Sequence, residues 1–449
     1  PGPPDSAEFP DLCEVDEVGA GALSFTDTHM VVRVERAGQI SSLVNLHDNS
    51  ELAGAGLFTF HDDSALGTVQ LLENGPVRCR VGVDAPAAPG VPAHAVVYTL
   101  AALDRLDVQE TIHDNFGDTE GYGIDLSSLP GVEVHHGETG MIALAKRVSH
   151  GGDYADDDAR TDFLTLNDFV DVGNPTFGFT IASLESQFMK VGNSDVNTLD
   201  ENPRSLFLVV GMQLDPSLGF ADQGGDTDFV NHYSILPRDS EFDGIQAMFD
   251  AIAMETDLVA VPASGPADAP LQASLAKLVD VVGAAPWWVK PAEDGASSGV
   301  IVRVWNTSQN ALTAFVRGPI ASASRTNHLE NDRADLPDTP IDAHGVNVAL
   351  ALDQIATLRV FLDPPAPGEG EGEGEGAAAE GEGAGEGEGA LVDDAGPAHE
   401  PVPPSAPACT CAASASRRDS AAVSTGALGL ALALFVRRRA RATGAGGAP

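Results

Sequence analysis

The chain has 449 residues, of which 24 are Lys or Arg and 67 are Asp or Glu, for a formal net charge of −43. Such a balance argues against DNA or RNA as a partner, because phosphate binding needs a basic face, and it disfavours anionic lipid surfaces. Apolar residues make up 43% of the sequence, enough for a packed core over most of its length.

The chain opens Pro1-Gly2-Pro3-Pro4, with neither an initiator Met nor a signal peptide, so it reads as a processed product or as lacking its upstream part. Cys13 and Cys79 have the option of pairing in an exported protein, subject to a separation that sequence does not give. From residue 22 to 364 the pattern is mainly of strands. Val32 and Val34 alternate with Arg33 and Glu35 before a turn at Gly38, and Val77 to Val83 alternates after Gly75-Pro76. Val96–Leu100 and Asp107–Ile112 read as successive antiparallel strands, and the continuously apolar Leu206–Val210 as a central one. A helix is expected after Ser240 as its cap, with Phe242, Ile245, Phe249 and Ile252 on one face. Gly299–Asn306 and Ala356–Leu362 mark a second β unit. No GxGxxG, P-loop, HExxH or GxSxG motif is present.

Three local features invite a ligand and have a plainer reading beside it. Asp153, Asp156, Asp157 and Asp158 crowd one loop, as Ca²⁺ ligands do, but lack an EF-hand or nonapeptide pattern and read better as a solvated acidic loop. His135-His136 reads as structural rather than as a metal pair. Trp287-Trp288 offers stacking for sugar rings, with packing at a domain interface the favoured alternative.

The composition changes at Pro364. Residues 368–389 are almost entirely Gly and Glu, and with the proline-rich stretch to Ala408 they form a disordered linker of 44 residues reaching roughly 35–40 Å. This linker holds nine Glu and two Asp, and residues 409–449 hold six Arg and one Asp, which leaves −37 on residues 1–364. With only four lysines in the protein, such a surface suits a saline environment. Residues 421–436 form an apolar run of 16 ending at Arg437, Arg438, Arg439 and Arg441. As a helix it spans about 24 Å and reads as a membrane anchor with a positive-inside stop.

This last arrangement, with Cys409-Thr-Cys411 before the helix and arginines after it, resembles the C-terminal sorting signals of myxobacteria. The resemblance implies export, cleavage near Cys409 or Cys411 by a membrane-embedded sorting protease, and display at the cell surface.

A second resemblance lies in the β region. Val289-Lys290-Pro291-Ala292-Glu293-Asp294-Gly295 followed by Gly299–Asn306 looks like the opening of the C-terminal β domain of glycoside hydrolase family 38, the α-mannosidases. Asn327-His328-Leu329-Glu330 and Val346–Leu362 resemble the elements that follow it. Upstream, Arg36–Leu43 and Leu72–Arg78 are similar to the hairpin and strand that begin the family's central β-sandwich. Arg303, inside an apolar strand, needs a partner that Glu293 or Asp294 is placed to supply.

The resemblance implies a mainly all-β fold: a large antiparallel, galactose-mutarotase-like supersandwich with a smaller C-terminal β-sandwich. The expected divisions are an N-terminal connector over 1–21, the central sandwich over 22–255, a connector over 256–295 and the C-terminal β domain over 296–364. The linker then covers 365–408 and the sorting signal 409–449.

It also implies that the catalytic zinc and the nucleophile belong to a barrel that this sequence does not contain. No cofactor is expected in this chain, and hydrolysis is expected only from a complete protein. Val209–Gln213 replaces a family arginine motif, and Asp222–Phe229 departs from a family motif by one residue and a missing His. Asp222, Asp226, Asp228 and His232 are the candidate sugar contacts, for mannosides or related glycans. The alternative is a surface-displayed carbohydrate-binding or adhesive module without catalysis.

Overall fold

Alternating apolar residues become antiparallel pairing throughout the computed structural model, which describes residues 12–60, 66–101, 104–212, 222–256, 279–333, 341–342 and 345–362. The linker, Cys409, Cys411, residues 421–436 and the terminal arginines lie outside the described residues. Among those described, no helix is long and apolar enough to cross a membrane.

Two large sheets face each other. The ten-stranded sheet runs from Glu14–Val18 through Ala22–Thr26, Met30–Val34, Ile40–Asn45, Leu57–Thr59, Glu120–Asp125, Ser205–Gly211 and Phe188–Val191 to Leu164–Thr165, with Ser50–Glu51 paired to Ile40–Asn45. The nine-stranded sheet runs from Met141–Leu144 through Glu133–Glu138, Phe169–Gly173, Gly178–Ser183, Phe229–Arg238, Leu106–Ile112, His94–Ala101 and Arg78–Ala85 to Thr68–Asn74. The expected large sandwich is therefore present. Period two puts Phe25, Leu43, Tyr122 and Leu208 of one sheet against Val81, Tyr98, Ile181 and Tyr233 of the other in a single apolar core. Aromatic rings knit its centre, with Phe58 and Tyr233 centroids 5.1 Å apart and Tyr122 edge-on to Tyr233 at 6.0 Å.

The smaller sandwich follows. One sheet is Asp280–Val282, Leu312–Arg317, Gly345–Leu350 and Ile341–Asp342; the other is Ala285–Pro291, Val300–Trp305, Ile355–Leu362 and Ile320–Thr326. Its core is largely valine, including Val302, Val304, Val316, Val348 and Val360. Asp280–Val282 and Ala285–Pro291 lie in the stretch expected to be a connector, and Glu14–Val18 lies in the expected N-terminal one. Pro286 and Pro291 disguise Ala285–Pro291, because proline interrupts a central strand but is tolerated at a sheet edge, where this strand sits. Arg303 takes neither expected acid. Its Nη2 donates to the His328 carbonyl at 2.9 Å, while Glu293 pairs with Lys290.

The helix Gly244–Glu255 bridges the two sandwiches. Its cap is Asp243 rather than Ser240: the Asp243 carboxylate accepts from the Ile245 N–H at 2.9 Å and the Gln246 N–H at 3.3 Å. The buried face also differs from the expected one, consisting of Gly244, Ala247, Met248 and Ala251. Three of these four are small because the helix lies close against its neighbours. A Cβ on Gly244 would fall 2.3 Å from the Thr307 carbonyl oxygen. Ala247, Met248 and Ala251 pack between Ile142, Phe169 and Ala182 of the large sandwich and Ala285 and Trp305 of the small one. Asp243→Ala is expected to cost about 1 kcal/mol, read as a lower thermal midpoint that Asp243→Asn largely restores.

Candidate functional site

The strand Glu120–Asp125 carries Gly121-Tyr122-Gly123, and period two decides what that triplet does. Tyr122 and Ile124 point into the core, while Gly121, Gly123 and Asp125 fall on the outer face of the ten-stranded sheet. Two successive outward positions without a side chain leave a trough. A register shift between Glu120 and Gly121 marks a bulge there, and a Cβ on Gly121 would fall 1.9 Å from the Leu208 carbonyl oxygen. The result is an open groove of about 610 Å³ over a backbone floor, walled by Phe207, Thr59, Ser205, Gln39 and Asp125.

Each wall is fixed by its own strand. Phe207 and Thr59 are the register partners of Gly123 on its two sides. Gln39 follows the turn at Gly38, whose φ of 94° suits glycine. That turn is pinned from the opposite sheet, where the Tyr98 hydroxyl donates to the Gly38 carbonyl at 2.6 Å and His94 Nε2 lies 3.1 Å from the Ala37 carbonyl. Phe188, 40% exposed, extends the aromatic side of the outer face beyond Phe207.

Partial burial pushes the Asp125 carboxyl up, but the Ser127 hydroxyl, the Ala55 and Ser127 N–H groups and nearby Arg204 together hold it below the usual carboxylate range. Asp125 is thus an oriented anion at neutral pH, with acceptor capacity left beyond the bond from the Ser127 N–H at 2.8 Å. A carboxylate, an amide, hydroxyls and an aromatic ring around an exposed backbone match a polyhydroxylated ligand. Such a ring can cover an apolar C–H face, and such polar groups can sort hydroxyls.

Of the residues expected to contact sugar, His232 lies on the strand Phe229–Arg238 of the other sheet and Asp222, Asp226 and Asp228 on the loop that leads into it, each engaged separately or exposed. Asp228 pairs with His113, Oδ1 to Nδ1 2.8 Å; this hydrogen bond holds the Asp228 carboxyl below its ordinary range. His232 is tied to Glu185, which takes its backbone N–H at 2.7 Å and faces its Nδ1 at 2.9 Å. Asp222 accepts from the Gly224 N–H at 2.9 Å, and Asp226 is exposed.

The acidic loop serves its own surroundings. Asp153 accepts from the Leu144 N–H at 2.7 Å and Asp156 from the Ser149 N–H at 3.2 Å. Among the described residues no group of three or more His, Cys, Asp or Glu is arranged to hold a metal ion. His135 stacks on Phe242 at 4.1 Å, and burial lowers its pKa; His136, deeper still, is lowered to about 4 by burial.

Sequence reasoning passed over Phe207, Gly121, Gly123, Asp125 and Gln39. The available signal was the pair of glycines at strand spacing around a tyrosine. Phe207 was hidden inside an apolar run that reads as buried on both faces.

Solved structures show the same architecture. The α-mannosidase from Enterococcus faecalis V583 aligns over 75% of this chain and 42% of its own, with a TM-score of 0.52 at 12% identity. A protein in the glycosyl hydrolase family 38 from Enterococcus faecalis aligns over 75% of this chain and 43% of its own, with a TM-score of 0.54 at 11% identity. This chain therefore spans less than half the length of those structures. No family model matches it, and no curated protein does. What is shared at such low identity is the fold, and this chain has the fold of the corresponding part of family 38 α-mannosidases, the family its motifs resemble.

Proposed function

We propose that this chain is the non-catalytic, carbohydrate-binding β portion of an exported α-mannosidase-like protein, held at the cell surface through its C-terminal signal. The groove over Gly121 and Gly123 is the observation that carries the binding role. The shared fold, with a protein described as an α-mannosidase, supplies the glycan class: mannosides or related neutral sugars. In this reading a pyranose lies with its C–H face on Phe207. Asp125 and Gln39 take its hydroxyls, and the glycine floor admits the ring edge to the backbone. In this reading zinc chemistry belongs to the complete protein; the described residues offer it no cluster.

Gly123 allows a clean test. A Cβ there would meet only Thr59, at 3.5 Å and 3.8 Å, so a side chain fits without backbone collision and projects into the groove. In titration calorimetry of the full chain with mannose oligosaccharides, Gly123→Leu and Phe207→Ala are each expected to weaken binding at least tenfold, about 1.4 kcal/mol, at nearly unchanged thermal midpoints. Unaltered affinity in both would refute the groove. Brisk release of nitrophenol from an aryl mannoside by this polypeptide would refute its non-catalytic role.

A further inference from the structure

We infer that Trp287 and Trp288 form a second glycan platform, separate from the groove, on the edge of the smaller sandwich and suited to chains of uncharged sugars. Two consecutive strand residues ordinarily face opposite ways. Here a register shift between Pro286 and Trp288 interrupts the alternation. Trp288 is the register partner of Arg303, and the Trp287 ring lies 5.8 Å from that of Trp305. Arg303 and Trp305 are two apart on one strand and share a face, so both indoles lie on that face.

The pair is exposed and rigidly held. Trp287 is 41% and Trp288 55% exposed; of the expected interface packing, the described residues supply only the lean of Trp287 on Trp305. Trp305, against which Trp287 leans, is only 3% exposed and is fixed in the contact with the helix Gly244–Glu255. Prolines at 286 and 291 stiffen the strand at either end. One outward position further on, Lys290 Nζ lies 2.6 Å from Glu330 Oε1, and Glu330 Oε2 takes the Glu293 N–H at 2.8 Å. A flat, preordered aromatic surface loses little entropy when a sugar ring stacks on it.

Charge selects the ligand. Lys290 pairs with Glu293 and Glu330, and Arg303 lies near enough to Glu330 to be felt by its carboxylate, so the two cations face two anions and leave no net positive charge to hold an acidic polymer. The −37 carried by residues 1–364 repels polyanions and also a second copy of the chain. Neutral pyranosides remain, with the exposed Glu293 carboxylate at the rim to accept their hydroxyls.

The test uses the full chain and three probes: mannan and hydroxyethyl cellulose as neutral polymers, alginate as an acidic one. All three tryptophans of the protein sit at this place and Trp305 is buried, so changes in indole emission report on Trp287 and Trp288. At least one neutral polymer is expected to blue-shift the emission, shield it from acrylamide and retard the protein in affinity gels, while alginate does none of these. Trp288→Ala should weaken retardation at least tenfold and Trp288→Phe by less. Phe207→Ala and Gly123→Leu should leave the emission shift intact, which separates this site from the groove. The inference is overturned if no neutral polymer alters the emission, if Trp288→Ala is retarded like the parent, or if sedimentation reveals a dimer that Trp288→Ala dissociates.

Discussion

Arg238→Ala is expected to destabilise the large sandwich by ~3–5 kcal/mol, the usual cost of leaving one member of a buried ion pair alone. The Asp171 side chain is fully buried and its partner only 14% exposed. The contact is bidentate, with Nε to Oδ2 at 2.9 Å and Nη2 to Oδ1 at 2.8 Å, and the Thr180 hydroxyl adds a bond to Oδ2 at 2.9 Å. Two glycines make room for the guanidinium: a Cβ on Gly173 or Gly178 would fall 2.5 Å or 2.9 Å from Nη2. Nη1 reaches on to the carbonyls of Asn174 and Ser240, joining the sheet to the segment before the helix. The double variant Asp171→Leu/Arg238→Met should recover most of the loss, because it removes both charges and keeps volume. Urea midpoints decide the matter; a single variant within about 1 kcal/mol of the parent would contradict it.

Glu110→Gln is expected to make the protein more stable at pH 8 and to erase part of its pH dependence. Glu110 is 1% exposed on the inner face of its strand, opposite Asn231, and burial pushes its pKa well above the ordinary value. Among the described residues, neither Glu110 Oε2 nor Asn231 Oδ1 has a hydrogen-bond partner. A carboxyl with a raised folded-state pKa holds its proton more tightly in the folded chain. Its contribution is complete below the unfolded value of about 4.3 and declines as pH rises towards the folded value. Each pH unit in that window costs up to about 1.4 kcal/mol. Glutamine keeps the shape and has no proton to lose. Denaturation curves at pH 4 and pH 8 should therefore converge at the lower value and separate at the higher one. Parallel pH profiles for parent and variant would show that Glu110 is ionised in the fold.

Much of the framework was legible because the inward positions repeat every second residue. Val32 and Val34, then Val81 and Val83, are buried as their alternation requires. The turns at Gly38 and Gly75-Pro76 likewise fall between paired strands. Where the reading failed, close approach outweighed apolar size. Ala247 and Ala251 are buried where Ile245 and Phe249 are only partly so, because Gly244 and the two alanines let the helix sit close while Met248 fills the gap beside them. The groove was illegible for a related reason: its floor is made of missing atoms, and glycines in a strand signal a bend or a ligand equally. Asp228 and His232 are close in sequence, yet each is taken by a partner far along the chain, His113 and Glu185. Nothing in the local sequence around Asp228 or His232 announces His113 or Glu185.

Because the trough over Gly121 and Gly123 is shaped by main chain, its contour is indifferent to what stands along its banks. Exchanging Phe207, Gln39 or Thr59 would redraw those banks and leave the floor as it is. A chain that keeps the two glycines can thus vary the chemistry at the rim while holding the floor fixed.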